Sequence, residues 1–193
     1  IKSVERKIAE YAFEHGLVKP IVNKNRTGKK VCVVGSGPAA LAAAQQLNRF
    51  GHDVTVLEKM NKIGGLLRYG IPDFKLPKEI LDRRISQLEQ EGITFKTKTI
   101  VGAIKELEHG VHNDSLTEVR GEQLLKDYDA IVLAPGSESP RDLKLPGRAL
   151  SGIYFALDFL IAQNRENNGD CPNPIDVKGK NVVVIGGGET ASD

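Results

Sequence analysis

The sequence predicts an α/β fold built on a mostly parallel sheet. Short apolar runs at 31–34, 53–58 and 129–134 have the length and β-branched character of buried strands. Segments with helical spacing of apolar residues, at 38–50 and 77–90, fall between them. The first run, a glycine turn, the first of these segments and the second run form a β-turn-α-β unit of about thirty residues. Alternation of this kind yields parallel strands joined by helical crossovers.

The elements can be read in order. Ser3 is placed to cap a first helix, whose face carries Val4, Ile8, Tyr11 and Ala12, with Gly16 as its stop. Residues 18–30, VKPIVNKNRTGKK, read as an extended linker whose basic cluster is a solvated approach to the next strand. In the strand at 31–34, Cys32 reads as a small buried thiol. The helix at 38–50 presents Ala39, Leu41, Ala42, Ala43, Ala44 and Leu47 and ends at Gly51. The run DVTVLE at 53–58 is the second strand. A helix over 77–90 has Pro77 near its start and Ile80, Leu81, Ile85 and Leu88 as its stripe. Strands follow near 93–97 and 98–103. The polar stretch 104–123 reads as hairpin-like, so the His109, His112 and Asp114 spacing within it is taken as a hairpin tip and no metal site is assigned. His15 and His52 are read as polar groups at helix ends. Residues 129–134 form a buried strand closed by Pro135-Gly136. The segment 153–163, IYFALDFLIAQ, is apolar nearly all round, which predicts a helix buried on several sides between two domains. A polar linker with Pro172 and Pro174 follows. The run at 181–185 is expected as a strand leading into a second glycine turn. The expected division is therefore 1–30 helix and linker, 31–150 first domain, 151–180 connecting helix and linker, and 181–193 the start of a second, truncated domain.

Composition bounds the function. The chain has 193 residues, 40% of them hydrophobic, and a net charge of +2. That balance points to neither nucleic acid nor membrane as a partner. No apolar run approaches the roughly 20 residues of a membrane span. The charged opening IKSVERKIAEY is unlike a signal peptide. Two cysteines without a CxxC spacing exclude a dithiol centre or a cysteine zinc knuckle, and suggest the cytoplasm.

The chemistry lies in the turns. Gly35-Ser36-Gly37-Pro38-Ala39-Ala40 has the GxGxxA spacing directly after a strand and at the opening of a helix. Gly35 permits the tight turn, Gly37 lets a pyrophosphate approach the backbone, and Ala40 lets helix and sheet pack closely. Amides and dipole at the helix N-terminus then favour phosphate. Glu58 stands where such a Rossmann unit places its acidic residue, about 20 residues past the turn. A carboxylate there accepts from ribose hydroxyls and repels a 2′-phosphate, which leaves NAD or FAD at this first site. Two features favour FAD. The Gly64-Gly65 pair lets a loop pass beneath a long extended ligand. The second turn, Gly186-Gly187-Gly188-Glu189-Thr190-Ala191, repeats the GxGxxA spacing at 151 positions' remove, too far for a solenoid repeat. Two dinucleotide sites suit a resident flavin and a visiting nicotinamide. Arg68 and Lys75 are the cations expected near phosphates or the flavin ring. Tyr69 and Phe74 are expected against either cofactor or core. Flavin reduction requires little of protein acids or bases, so no catalytic residue is assigned.

The stretches VGSGPAALAAAQQLNRFGHDVTVLEK, KIGGLLRYGIPDFKLPKEILDRRI, LAPGSESPRDLKLPG and VVVIGGGETASD resemble the small (β) subunit family of glutamate synthases, over essentially the whole chain. The related flavin domain of dihydropyrimidine dehydrogenase has the same pattern. The resemblance implies a Rossmann-like, three-layer FAD domain plus the beginning of a second Rossmann domain for NADPH or NADH. It implies FAD contacts from Gly35, Ser36, Gly37, Pro38 and Ala39, from Glu58 and Lys59, from Gly65 and Leu66, from Lys75, from the Val101 backbone, and from the turn of Ala134 and Gly136. It places NADPH on Gly187 to Ala191. Electrons would leave through iron–sulfur clusters outside this chain, to a large subunit or fused amidotransferase and synthase domains that form glutamate from glutamine and 2-oxoglutarate. The family's cysteine-rich region and the rest of its nicotinamide domain have no counterpart here. The sequence therefore reads as a piece of a longer protein, expected to be inactive alone. Pro135 stands where the family has threonine, which removes an N–H and a hydroxyl. Two other readings remain open: a related reductase serving another acceptor, of the dihydropyrimidine dehydrogenase or ferredoxin type, and a nucleotide-binding module without redox chemistry, which would be colourless.

Overall fold

A computed structural model of the chain describes residues 2–102, 116–137 and 139–193. Its centre is a four-stranded sheet in the order β3-β2-β1-β6, with every pair parallel. The strands are β1 (Lys30–Val34), β2 (Asp53–Leu57), β3 (Thr94–Lys96) and β6 (Ala130–Leu133). In β1 the side chains alternate between faces, as strand geometry requires. Val31 and Val33 join Val54 and Val56 on one face, while Cys32 joins Leu57 on the other. Both faces are covered, which is why KVCVV reads as a continuous apolar run.

The first face is covered by α2 (Pro38–Arg49) and α4 (Lys78–Gln90), which contribute Ala40, Leu41, Ala44 and Leu88. Alanines let α2 lie close to the sheet. The second face is covered by a parallel pair, β4 (Thr99–Val101) and β5 (Thr117–Val119), and by α5 (Gly121–Asp127), whose Leu124 is buried against Cys32 and Leu57. The molecule is three-layered as expected, but its third layer is mainly a small sheet. The hairpin expected over 104–123 falls largely on 103–115, outside the described residues, together with His109, His112 and Asp114. Its described part differs: β5 runs parallel to β4, and a helix starts at Gly121.

Other expectations are also corrected. The first helix, α1 (Lys2–Glu14), already includes Ser3, so that residue is not its cap. Val4, Ile8 and Tyr11 are exposed. α1 is instead held by Arg83, which makes two 3.0 Å hydrogen bonds to Glu10 and stacks over Phe13. The linker after it carries no helix or strand, and its Arg26 and Lys29 pair with Asp53 and Asp129. β6 is the open edge of the sheet rather than a buried strand, with Leu133 73% exposed. α6 (Ala156–Asn167) forms, but only Leu160 and Asn164 within it are buried. It packs on α3 (Leu66–Tyr69), where Asn164 Nδ2 donates to the Tyr69 carbonyl at 3.0 Å. Residues 181–185 do not form a strand; Val183 is 86% exposed. A strand needs a hydrogen-bonding neighbour, and no described element lies alongside.

Candidate functional site

The C-terminal ends of β1, β2 and β6 open onto a cavity of about 560 Å³. A crevice beyond the carboxyl ends of parallel strands is the usual ligand site of open α/β sheets. Three close approaches shape it. Gly35 has φ +99°, and a Cβ there would lie 2.3 Å from the Ala134 carbonyl oxygen. Only glycine therefore lets β1 turn beside β6. Gly65 has φ +54°, and its Cβ would lie 2.9 Å from Gly37 Cα, so the loop of residues 64–65 closes directly on the turn. Gly37 is different. Its φ is −69°, and a Cβ would meet nothing within 4 Å. The space it leaves opens on the cavity at the N-terminus of α2, where amides without intrahelical partners concentrate.

Opposite that helix end stands Glu58, 5% exposed. Its Oε2 accepts from Ser36 Oγ at 2.5 Å and its Oε1 from the Met60 N–H at 2.8 Å. Ser36 Oγ also accepts the Gly64 N–H at 2.9 Å. One hydroxyl thus ties together the first glycine turn, the strand-end carboxylate and the glycine pair.

The structure brings together Gly35, Ser36, Gly37, Pro38, Ala39, Glu58, Lys59, Gly65, Leu66, Val101, Ala134 and Gly136, all of which line the cavity. Pro135 lines it too. Arg68 does not. It is 3% exposed, with Nε donating to the Ile63 carbonyl at 2.7 Å and its other end paired with Asp82. It braces α3 against α4, so it is neither a surface charge nor a cleft cation. Lys75 is also outside the lining; it binds the Glu189 carbonyl, Ser192 Oγ and the Asp193 carboxylate. The second turn, Gly186 to Ala191, lies apart from the cavity, and residues 189–192 form a 3₁₀ turn instead of a helix. Phe74 is exposed, and Tyr69 is buried against the cavity. The Tyr69 hydroxyl donates to Asn61 at 2.5 Å and accepts the Lys62 N–H at 3.1 Å. Burial, aided by the Asp170 charge, pushes that hydroxyl well above the ordinary tyrosine value.

The far wall was not legible as such. Phe155, Leu157 and Ile161 of the α6 segment line it with Asp158 among them. The signal was present in the all-round apolar character of 153–163, but it was assigned to burial between domains.

The residues fit an elongated dinucleotide: a helix N-terminus with an unfilled glycine notch, a carboxylate one strand away, and a largely apolar wall beyond. The sequence profile of the pyridine nucleotide-disulphide oxidoreductase family matches residues 29–193. The chain belongs to this family. It is also 44% identical to the glutamate synthase [NADPH] small chain of Bacillus subtilis, over all of this chain and 37% of that one. It is 45% identical to glutamate synthase [NADH] of Schizosaccharomyces pombe, over all of this chain and 9% of that one. The resemblance read from the motifs is thus borne out across the full sequence. The chain spans little more than a third of the length of the Bacillus relative. Among solved structures, FprA of Mycobacterium tuberculosis in complex with NADPH superposes with a TM-score of 0.58 at 29% identity, over 75% of this chain and 31% of that one. Among the described residues, no helix is long and apolar enough to cross a membrane, and no His, Cys, Asp and Glu cluster is arranged for a metal ion.

Proposed function

We propose that the chain is the FAD-binding part of a glutamate synthase small chain, with residues 181–193 opening its NADPH-binding part. The observation that carries this reading is the cavity itself: Gly37 leaves a notch at the α2 N-terminus, while Glu58 is held at the cleft. In this reading the pyrophosphate lies across the amides following Gly37, and Glu58 accepts from the adenosine ribose. The Val101 backbone faces the adenine. The ring end extends past Gly65 and Leu66 towards Tyr69 and α6. When bound, the flavin takes the reducing electrons of NADPH and passes them on. The chain's own contribution is to bind, orient and shield it.

The second turn supports the division at 181. Gly186 has φ +126°, as Gly35 has +99°, and Gly188 (φ −84°, ψ −177°) repeats the backbone of Gly37 (φ −69°, ψ −178°). The whole protein would accept electrons from NADPH, the nucleotide in the Bacillus relative's name, or from NADH, as in the yeast one. It would deliver them through iron–sulfur clusters outside these residues to a large subunit or fused synthase domains. The cytoplasm is the compartment inferred, in keeping with two unpaired cysteines.

The test is FAD titration of the full-length protein and its Glu58→Ala variant, followed by flavin fluorescence. Hydrogen bonds to a charged group contribute about 1.5–3 kcal/mol, so the variant should bind FAD roughly 10–100-fold more weakly. A wild-type protein that takes up no FAD, or a variant that binds as tightly, contradicts the assignment.

A further inference from the structure

We infer that Ser36 is a positioning residue for the ribose-binding carboxylate, acting on the nucleotide through Glu58. The inference rests on the FAD reading above. Ser36 is 1% exposed, so its side chain is no surface contact. A hydroxyl has one proton to donate and two lone pairs to accept with. Gly64 N–H occupies a lone pair of Ser36 Oγ at 2.9 Å, and the remaining proton is directed to Glu58 Oε2 at 2.5 Å. The Met60 N–H holds the other oxygen at 2.8 Å. The carboxylate is therefore gripped from both sides, with its plane fixed before a nucleotide arrives. Pre-fixing the group removes an ordering cost that binding would otherwise carry.

The arrangement has a second consequence. The Gly64 amide reaches Ser36 because Gly64, at φ +133°, takes a conformation that side chains rarely adopt, with Leu81 close by. The loop that closes on Gly37 and the carboxylate thus share one fastening point. The GxGxxA pattern leaves the residue after the first glycine free. Here that residue bridges both flanks of the cleft.

A double-mutant cycle on the full-length protein tests the inference, with the FAD dissociation constant as the readout. Ser36→Ala should weaken FAD about tenfold or more in the wild-type background. In the Glu58→Ala background the same change should cost no more than about threefold, since nothing is left to position. Ser36→Cys keeps the size of the side chain with a weaker donor; it should fall between wild type and Ser36→Ala, and it serves if the alanine variant does not fold. Equal losses in both backgrounds would mean that Ser36 acts on the turn backbone and not through Glu58, which overturns the inference. So would an unchanged dissociation constant in Ser36→Ala. A wild type that binds no FAD removes the underlying reading as well, whereas a wild type that binds FAD no better than Ser36→Ala removes this inference alone.

Discussion

Gly35 and Gly37 share one motif, yet the structure gives them different physical duties. At Gly35, φ is +99° and a side chain would strike the Ala134 carbonyl. Gly35→Ala should therefore destabilise the fold by more than about 2 kcal/mol, because positive-φ strain alone costs about 1–3 kcal/mol. At Gly37 the backbone is ordinary and the space is open. Gly37→Ala should change unfolding free energy by less than about 1 kcal/mol while weakening FAD markedly, since its methyl fills the notch. Urea unfolding and FAD titration of both variants separate the two duties; equal destabilisation would contradict this division. Gly35 was legible because its need is a backbone need, visible in spacing alone. Ser36 and Arg68 were only half legible. Where a side chain points depends on tertiary partners, Glu58 for one and Asp82 for the other, and no spacing rule encodes those. Cys32 was fully legible as a buried thiol within an apolar strand. Burial pushes it up to about 11, against a minor opposing effect of Lys96. A maleimide at neutral pH should label the partly exposed Cys171 and spare Cys32 until the chain unfolds.

At the level of elements, periodicity located the helices well and overstated burial. The stripe of α4 holds because Leu81 and Leu88 are inside, whereas the stripe of α1 stays exposed and Arg83 tethers the helix. β6 has the composition of a central strand but lies at an edge, a distinction that depends on sheet order. α5 was missed because a seven-residue helix carries too little periodicity to register. The contact between α2 and α4 contains a polar centre that pattern reading also passes over. Glu91 is fully buried; its carboxylate accepts from Gln45 and Gln87 at 2.9 Å each, and its carbonyl accepts from Asn48 at 2.7 Å. Burial pushes its carboxyl up, but the Gln45 and Gln87 amides, the Ile21 N–H and the Arg49 charge outweigh it and hold the group below the ordinary carboxylate range. A carboxyl whose folded value is depressed adds stability above its unfolded value and loses it as pH falls through the folded one. Stability should therefore decline below about pH 4.5, and Glu91→Gln should flatten that decline. Urea midpoints of both proteins between roughly pH 3 and 7 measure it. Parallel acid limbs would show that Glu91 does not contribute.

For the whole molecule, the sequence carries two copies of the GxGxxA turn, and the structure shows how differently they stand. The first is completed by its sheet, its carboxylate and the Gly64-Gly65 loop. The second has a positive φ at Gly186 and nearly the same backbone at Gly188, yet among the described residues 181–185 has no strand beside it, and Lys75 contacts the turn at Glu189. A local turn is encoded by a few residues and can form alone; a strand is a property of its neighbours, which explains why the turn is present there and the strand is not. If the two turns serve different nucleotides, their effects must separate in the full-length protein. Gly188→Val adds a branched side chain where nothing lies within 4 Å, so the fold tolerates it, but the approach of a pyrophosphate is blocked. The variant should remain yellow and bind FAD with wild-type affinity, and dithionite should still reduce its flavin. NADPH should do so only at higher concentration, with a rise in the half-saturating NADPH concentration of at least tenfold. Rapid-mixing absorbance of the bound flavin follows both reductants in one preparation. Loss of the yellow colour in Gly188→Val would place the second turn in the flavin site, and unimpaired reduction by NADPH would leave it without a role in nucleotide binding.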